Sequence, residues 1–178
     1  MQYNVAQLLK EGVGASRRRT LSGELCDIDA LNPGETPVEG DLLLVRTPRG
    51  ILVTGKAHMT MTQSCRRCLR TIRAEVELDI EEEFVPSIDI ITGASLPITD
   101  EDEPDLVIDE HHILDLTEIL RQYAIVVGMA PDLCSPDCKG LCPICGQDLN
   151  AGTCDCQQDE IDPRLSVLAQ LLDDADKD

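Results

Sequence analysis

Six cysteines fall within 23 residues, in the run Cys134-Ser-Pro-Asp-Cys138-Lys-Gly-Leu-Cys142-Pro-Ile-Cys145-Gly and, after a short loop, Cys154-Asp-Cys156. Thiols at that density are too close together to serve hydrophobic packing. They are set either for disulfides or for metal. In Cys142-Pro-Ile-Cys145-Gly146 the proline stiffens the turn, and the glycine is free to take a positive φ that lets backbone amides point at the sulfurs. Two thiolates two residues apart then sit on one side of a tight turn. They supply half of a tetrahedral zinc site with Zn–S near ~2.3 Å, and Cys154 and Cys156 supply the other half.

A second half-site lies far upstream in Cys65-Arg-Arg-Cys68, which Cys134 and Cys138 complete. Eight of the nine cysteines then divide into two sets of four and leave Cys26 over, which reads as a small buried apolar residue. The alternative is one site from Cys134, Cys138, Cys142 and Cys145, with Cys65 and Cys68 free or redox-active. Two sites are preferred because each C-x-x-C finds a pair of its own. One or two structural zinc ions are therefore expected. The odd cysteine count and the absence of a basic-then-apolar leader place the chain in a reducing cytoplasm, where clustered cysteines favour metal over disulfides. No stretch approaches the ~20 apolar residues of a membrane span, so no membrane partner is expected.

The net charge of −19 is unevenly spread. Residues 1–73 hold eleven Lys/Arg against seven Asp/Glu, whereas residues 74–178 hold four against twenty-seven. Phosphate contact rests on Lys and Arg, so any nucleic-acid surface belongs to the first part. Its candidates are Arg17, Arg18 and Arg19, then Arg66, Arg67, Arg70 and Arg73 around the first C-x-x-C. With Tyr3, Phe84 and Tyr123 the only aromatic residues, base stacking has little to work with. The competing reading is that these arginines pair with the protein's own carboxylates, such as Glu75 and Glu77.

Apolar residues are otherwise aliphatic, and their periodicity predicts an α+β protein. Asn4 caps a short helix carrying Val5, Leu8 and Leu9 inward, and a strand covers Thr20 to Cys26. Asn32 to Gly40, with two prolines and two glycines, reads as a loop. A hairpin follows, with Leu42–Thr47 and Ile51–Gln63 flanking Pro48-Arg49-Gly50. Residues Ile72 to Glu81 alternate strictly, which puts Cys65 and Cys68 at the turn between two antiparallel strands. Residues 87–110 read as an acidic, poorly ordered linker with a short strand at Leu106–Asp109. Asp115-Leu-Thr-Glu118 reads as a capping box opening a helix to about Val127, and Asp162-Pro163 opens a last helix. The expected organisation is a β-rich antiparallel body with a few helices over 1–86, the linker over 87–110, and over 111–178 a helix, the zinc-binding segment and the final helix. His58, His111 and His112 read as surface or packing residues.

Several of these strings together are more specific than a generic zinc finger. They are Gly55 to Leu69 running into Cys65-Arg-Arg-Cys68, Glu81-Glu-Glu-Phe84-Val-Pro86, Ile113-Leu-Asp-Leu116, Cys138-Lys-Gly-Leu-Cys142-Pro-Ile-Cys145-Gly-Gln-Asp-Leu-Asn150 and Ile161-Asp-Pro-Arg-Leu165. In this order they resemble the YceD family, named for accumulation of large-subunit ribosomal RNA. The resemblance implies a factor in the processing or accumulation of that RNA and a precursor large subunit, through its RNA or its proteins, as partner. The residues agree with a non-enzymatic role. The thiols form closed sets of four, and no nucleophile–base pair, phosphate loop or small-molecule site is recognisable. Two other classes are weighed against it. A redox enzyme would use Cys65-Arg-Arg-Cys68, but that chemistry wants the motif at a helix N-terminus, and here it joins strands. A zinc-stabilised docking or regulatory module away from the ribosome is the alternative, and a DNA reader would need a base-reading helix richer in Arg, Asn or Gln than these.

Overall fold

The computed structural model of the chain describes residues 1–28, 30–98, 103–129 and 133–156. Its frame is a five-stranded sheet in the order β2-β3-β4-β5-β6, where β2 is Ser16–Cys26, β3 Glu35–Arg46, β4 Ile51–Ser64, β5 Thr71–Pro86 and β6 Val107–Ile108. The first four pair antiparallel as successive hairpins, and β6 joins β5 in parallel. The expected α+β class is what the chain adopts, with a sheet-rich body followed by the cysteine-rich segment.

Strand alternation explains why one face of this sheet is covered and the other is open. Along β4 the residues Ile51, Val53, Ala57, Met59 and Met61 are buried, while Lys56, His58 and Thr60 on the alternate face are exposed. Register carries the same division across β5, where Val76, Leu78 and Ile80 face inward opposite Met59, Ala57 and Gly55. The inner face is closed by α1 (Ala6–Lys10), by α2 (Thr117–Gly128) and by a two-stranded ribbon of β1 (Gln2–Asn4) with β7 (Ile113–Asp115). Leu114, Leu116, Ile119, Leu120 and Ala124 therefore share one core with the sheet, with Phe84 fully buried among them. On the open face Lys56 pairs with Glu77 and Asp79, so Glu77 is engaged by lysine and not by an arginine.

The β3–β4 turn follows its sequence: Arg46 pairs with Ile51, and Thr47 Oγ1 accepts the Gly50 amide at 2.9 Å. Four local expectations are corrected. The strand placed at Thr20–Cys26 begins at Ser16, because Arg17–Arg19 pair with Leu44–Leu42 although their side chains stay exposed. The loop placed at Asn32–Gly40 ends earlier, since β3 starts at Glu35. Pro37 is tolerated there because pairing with β4 starts only at Val38, so no ladder bond is asked of its missing N–H. The capping box does not form: Asp115 Oδ1 accepts the amide and hydroxyl of Thr117 at 2.9 and 2.6 Å, and Glu118 turns instead to Arg121. Cys26 is exposed and not buried, as it lies opposite in phase to Leu25 on β2.

Between Ser87 and Glu110 the described residues are tied to the sheet. The Ser87 amide donates to Ile108 at 3.0 Å, the Leu96 amide to Ser87 at 2.8 Å, and β6 lies within the short strand expected there. Residues 99–102 of the acidic stretch, residues 130–132 and the final helix expected from Asp162 lie outside the described residues. Among those described, no helix is long and apolar enough to cross a membrane.

Candidate metal centre

The β4–β5 hairpin ends in a loop from Cys65 to Arg70, with Ser64 paired to Thr71 and the Cys65 amide donating to Arg70 O at 2.8 Å. Leu69 closes it at φ 58°, in the left-handed region, and its amide donates to Cys65 O at 2.9 Å. This knuckle places the sulfurs of Cys65 and Cys68 in one group. The segment after α2 returns to meet them: Cys68 Sγ lies 3.5 Å from Cys134 Sγ, and Cys65 Sγ lies 3.8 Å from Cys138 Sγ. A second knuckle, Cys142 to Gly146 with Gly146 at φ 74°, faces Cys154 and Cys156. Within each set of four the sulfurs lie within 4.8 Å of one another.

The structure thus brings Cys65, Cys68, Cys134 and Cys138 together, and separately Cys142, Cys145, Cys154 and Cys156. The alternative set of Cys134, Cys138, Cys142 and Cys145 does not assemble among the described residues, and no cysteine there is in a disulfide. The fit to a tetrahedral ion is good, since Zn–S bonds of ~2.3 Å imply sulfur–sulfur edges of roughly 3.8 Å. The four-thiol sets could each hold a metal ion. The two differ in setting. Cys65, Cys68 and Cys138 are buried with Leu133 and Leu141 packed against them, whereas Cys142 alone of the second set is buried and Cys145 is exposed.

Electrostatics show what the ion would relieve. Amides of Cys68, Cys134 and Arg67 point at Cys65 and pull its pKa down to about 6. Cys142 falls to about 6 under the amides of Cys145 and Ile144. Their neighbours shift the other way: Cys134 is pushed up to about 12 by Cys138 and Cys68, and Cys156 to about 12 by Cys145, burial and Cys142. Four thiolates cannot ionise together without a cation between them, and a divalent ion removes that repulsion.

The arginines separate into roles. Arg67 donates to Cys138 O at 2.8 Å and accepts the Leu141 amide at 3.2 Å on its own carbonyl, so it holds the two cysteine pairs in place. Arg70 reaches Asp148 at 3.3 Å. Arg66 and Arg73 are exposed and have no carboxylate partner among the described residues. Arg17 pairs with Glu11, while Arg18 and Arg19 are exposed beside it. Arg19 pairs with Leu42, which faces Gly55, seven residues along β4 from Thr62 and its partner Arg73. At ~3.3 Å per residue that is roughly 23 Å, so the basic residues form two groups and not one patch. His58 and His111 are exposed and outside both thiol sets. Sequence reasoning missed Asp148 and Asn150, which have no spacing signal and acquire partners only when the two knuckles meet.

Residues 53–172 match a protein family described as "Large ribosomal RNA subunit accumulation protein YceD". Proteins of Mycobacterium tuberculosis and Mycobacterium bovis, each named only as uncharacterized, are 34% identical over 133 residues, covering 74% of this chain and 60% of their own length. An Arabidopsis thaliana protein named "Large ribosomal RNA subunit accumulation protein YCED homolog 1, chloroplastic" is 26% identical over 159 residues, covering 78% of this chain and 50% of its own. The chain therefore spans between half and 60% of the length of these relatives. No solved structure matches it.

Proposed function

The chain belongs to the YceD family, and from that membership we propose that it is a non-enzymatic factor for large-subunit ribosomal RNA accumulation, acting in the cytoplasm on the precursor subunit, with structural zinc in both thiol sets. The observation that carries the reading is the family match over residues 53–172, to a family named for that RNA. The geometry supports the structural role of the metal. Four thiols complete a tetrahedral shell and leave no position for a reacting water. Arg67 is committed to the Cys138 carbonyl, so of the basic residues near the first knuckle Arg66 and Arg73 are left for phosphate. A hairpin already ordered at this end holds their backbone in place, so contact costs only the freedom of the side chains themselves. Binding is then electrostatic, salt-sensitive and without sharp base preference.

Sedimentation of the protein with precursor large subunits, with RNA crosslinking in the same sample, tests this. Reversing charge in Arg66→Glu/Arg73→Glu should weaken association several-fold at moderate salt. It should also flatten the salt dependence by about one unit of slope for each phosphate the variant no longer neutralises. Unaltered association at every salt would place the contact elsewhere on the molecule. A chain that sediments with no precursor at all would favour a docking module away from the ribosome.

A further inference from the structure

Asn150 belongs to neither set of thiols, yet three contacts fix its side chain. Oδ1 accepts the Lys139 amide at 2.8 Å, while Nδ2 donates to Asp148 Oδ1 at 2.7 Å and to Cys138 Sγ at 3.5 Å. A backbone amide has only a hydrogen to offer, so Lys139 decides which end of the Asn150 amide is oxygen. Nδ2 is thereby committed to the sulfur. Cys138 is a member of the buried set, whereas Asn150 stands in the turn between Cys145 and Cys154 of the exposed one. A turn of the second set thus supplies an outer hydrogen bond to a thiol of the first.

The backbone makes the same junction. The Leu141 amide donates to Arg67 O at 3.2 Å, and the Leu149 amide donates to Gly140 O at 2.9 Å. The Cys142 amide donates to Gln147 O at 2.8 Å, and Asp148 accepts Arg70 at 3.3 Å. Residues 140–142 are therefore clasped between the first knuckle and the turn of the second. Gly140 sits at φ 77°, and a Cβ there would come 3.1 Å from Arg67 O.

We propose that Asn150 is a positioning residue through which the exposed thiol set controls how tightly the buried set holds its metal. The inference rests on the zinc reading above. An ion bound by Cys145 and Cys154 ties together the two ends of the turn that carries Asn150. With the turn closed, Nδ2 faces Cys138 and offsets its thiolate charge. With the turn open, that donor is withdrawn and the buried ion is held less tightly. Hydrogen-bond partners one shell beyond a metal typically change affinity by about 10–100-fold. The exposed set exchanges first, and its state is passed inward.

The full chain loaded with two equivalents of zinc is mixed with a large excess of isotopically labelled zinc, which keeps both sets occupied, and exchange of the label into the protein is followed in time. Two phases are expected, fast from the exposed set and slow from the buried one. Asn150→Asp keeps an acceptor for the Lys139 amide but sets a carboxylate against the sulfur. It should speed the slow phase by about 10–100-fold and leave the fast phase unchanged, which also reports that the segment is still folded. Cys142→Ser/Cys145→Ser should abolish the fast phase and speed the remaining one by a similar factor. Adding Asn150→Asp to that pair should then have no further effect, because both changes remove the same interaction. A slow phase untouched by Asn150→Asp, or factors that multiply in the triple variant, would overturn the proposal and leave two-site binding standing. A chain that never takes up zinc overturns both.

Discussion

Asp115 shows how a single carboxylate can anchor an element without being the cap its sequence context suggests. Burial alone would raise its pKa, but the hydroxyl and amide of Thr117 and the side chain of Gln2 at 2.8 Å donate to it and hold it well below the usual carboxylate range. Because the folded pKa lies below the unfolded value of ~3.9, its contribution is complete above that value and is lost as pH falls below it. Asp115→Asn should lower the melting temperature at pH 6, and the gap from the parent protein should narrow as melts are taken below about pH 4. A gap of constant size down to acid pH would mean the carboxylate charge plays no part. Capping box and Asx turn look alike in sequence, since both begin with Asp and a polar residue nearby. What separates them is where the chain enters the helix, and that is set by β7 pairing with β1.

At the scale of elements, the β4–β5 hairpin carries half of one thiol set and also has a core of its own. Its 14 paired positions, from Ile51 with Phe84 to Ser64 with Thr71, bury Val53, Ala57, Met59, Val76 and Leu78 in the main core. The segment 133–156 has no comparable core: beside the cysteines, Leu133 and Leu141 are the apolar residues packed at the first set. Chelation should therefore erase hydrogen-exchange protection of amides such as Leu141, Cys142 and Leu149 while those of β3–β5 stay protected. Loss of protection in both would show the metal to be part of the sheet's stability. The hairpins were legible because period-2 alternation and a Pro-Arg-Gly turn are local signals. So was the grouping of the thiols, because each C-x-x-C needs two further sulfurs. The start of β2 at Ser16 was not legible, because edge-strand pairing holds Arg17–Arg19 through backbone bonds that side-chain polarity does not report.

For the molecule as a whole, a metal ion in the first thiol set would crosslink distant parts of the chain. Cys68 and Cys134 are 66 residues apart, and closing a loop of that length is worth about 4 kcal/mol in chain entropy. Elemental analysis of protein purified without added metal should return two zinc ions per chain. One ion would refute independent occupancy of both sets, and none would remove the metal reading. The same separation has a consequence in time. Ribosomes add about 5–20 residues per second, so the first knuckle leaves the synthesis machinery roughly 3–13 seconds before its partner cysteines exist. During those seconds a nascent chain carries the first two thiols without the pair that would complete their set. The order of synthesis thus offers half of a metal shell well before the segment that closes it.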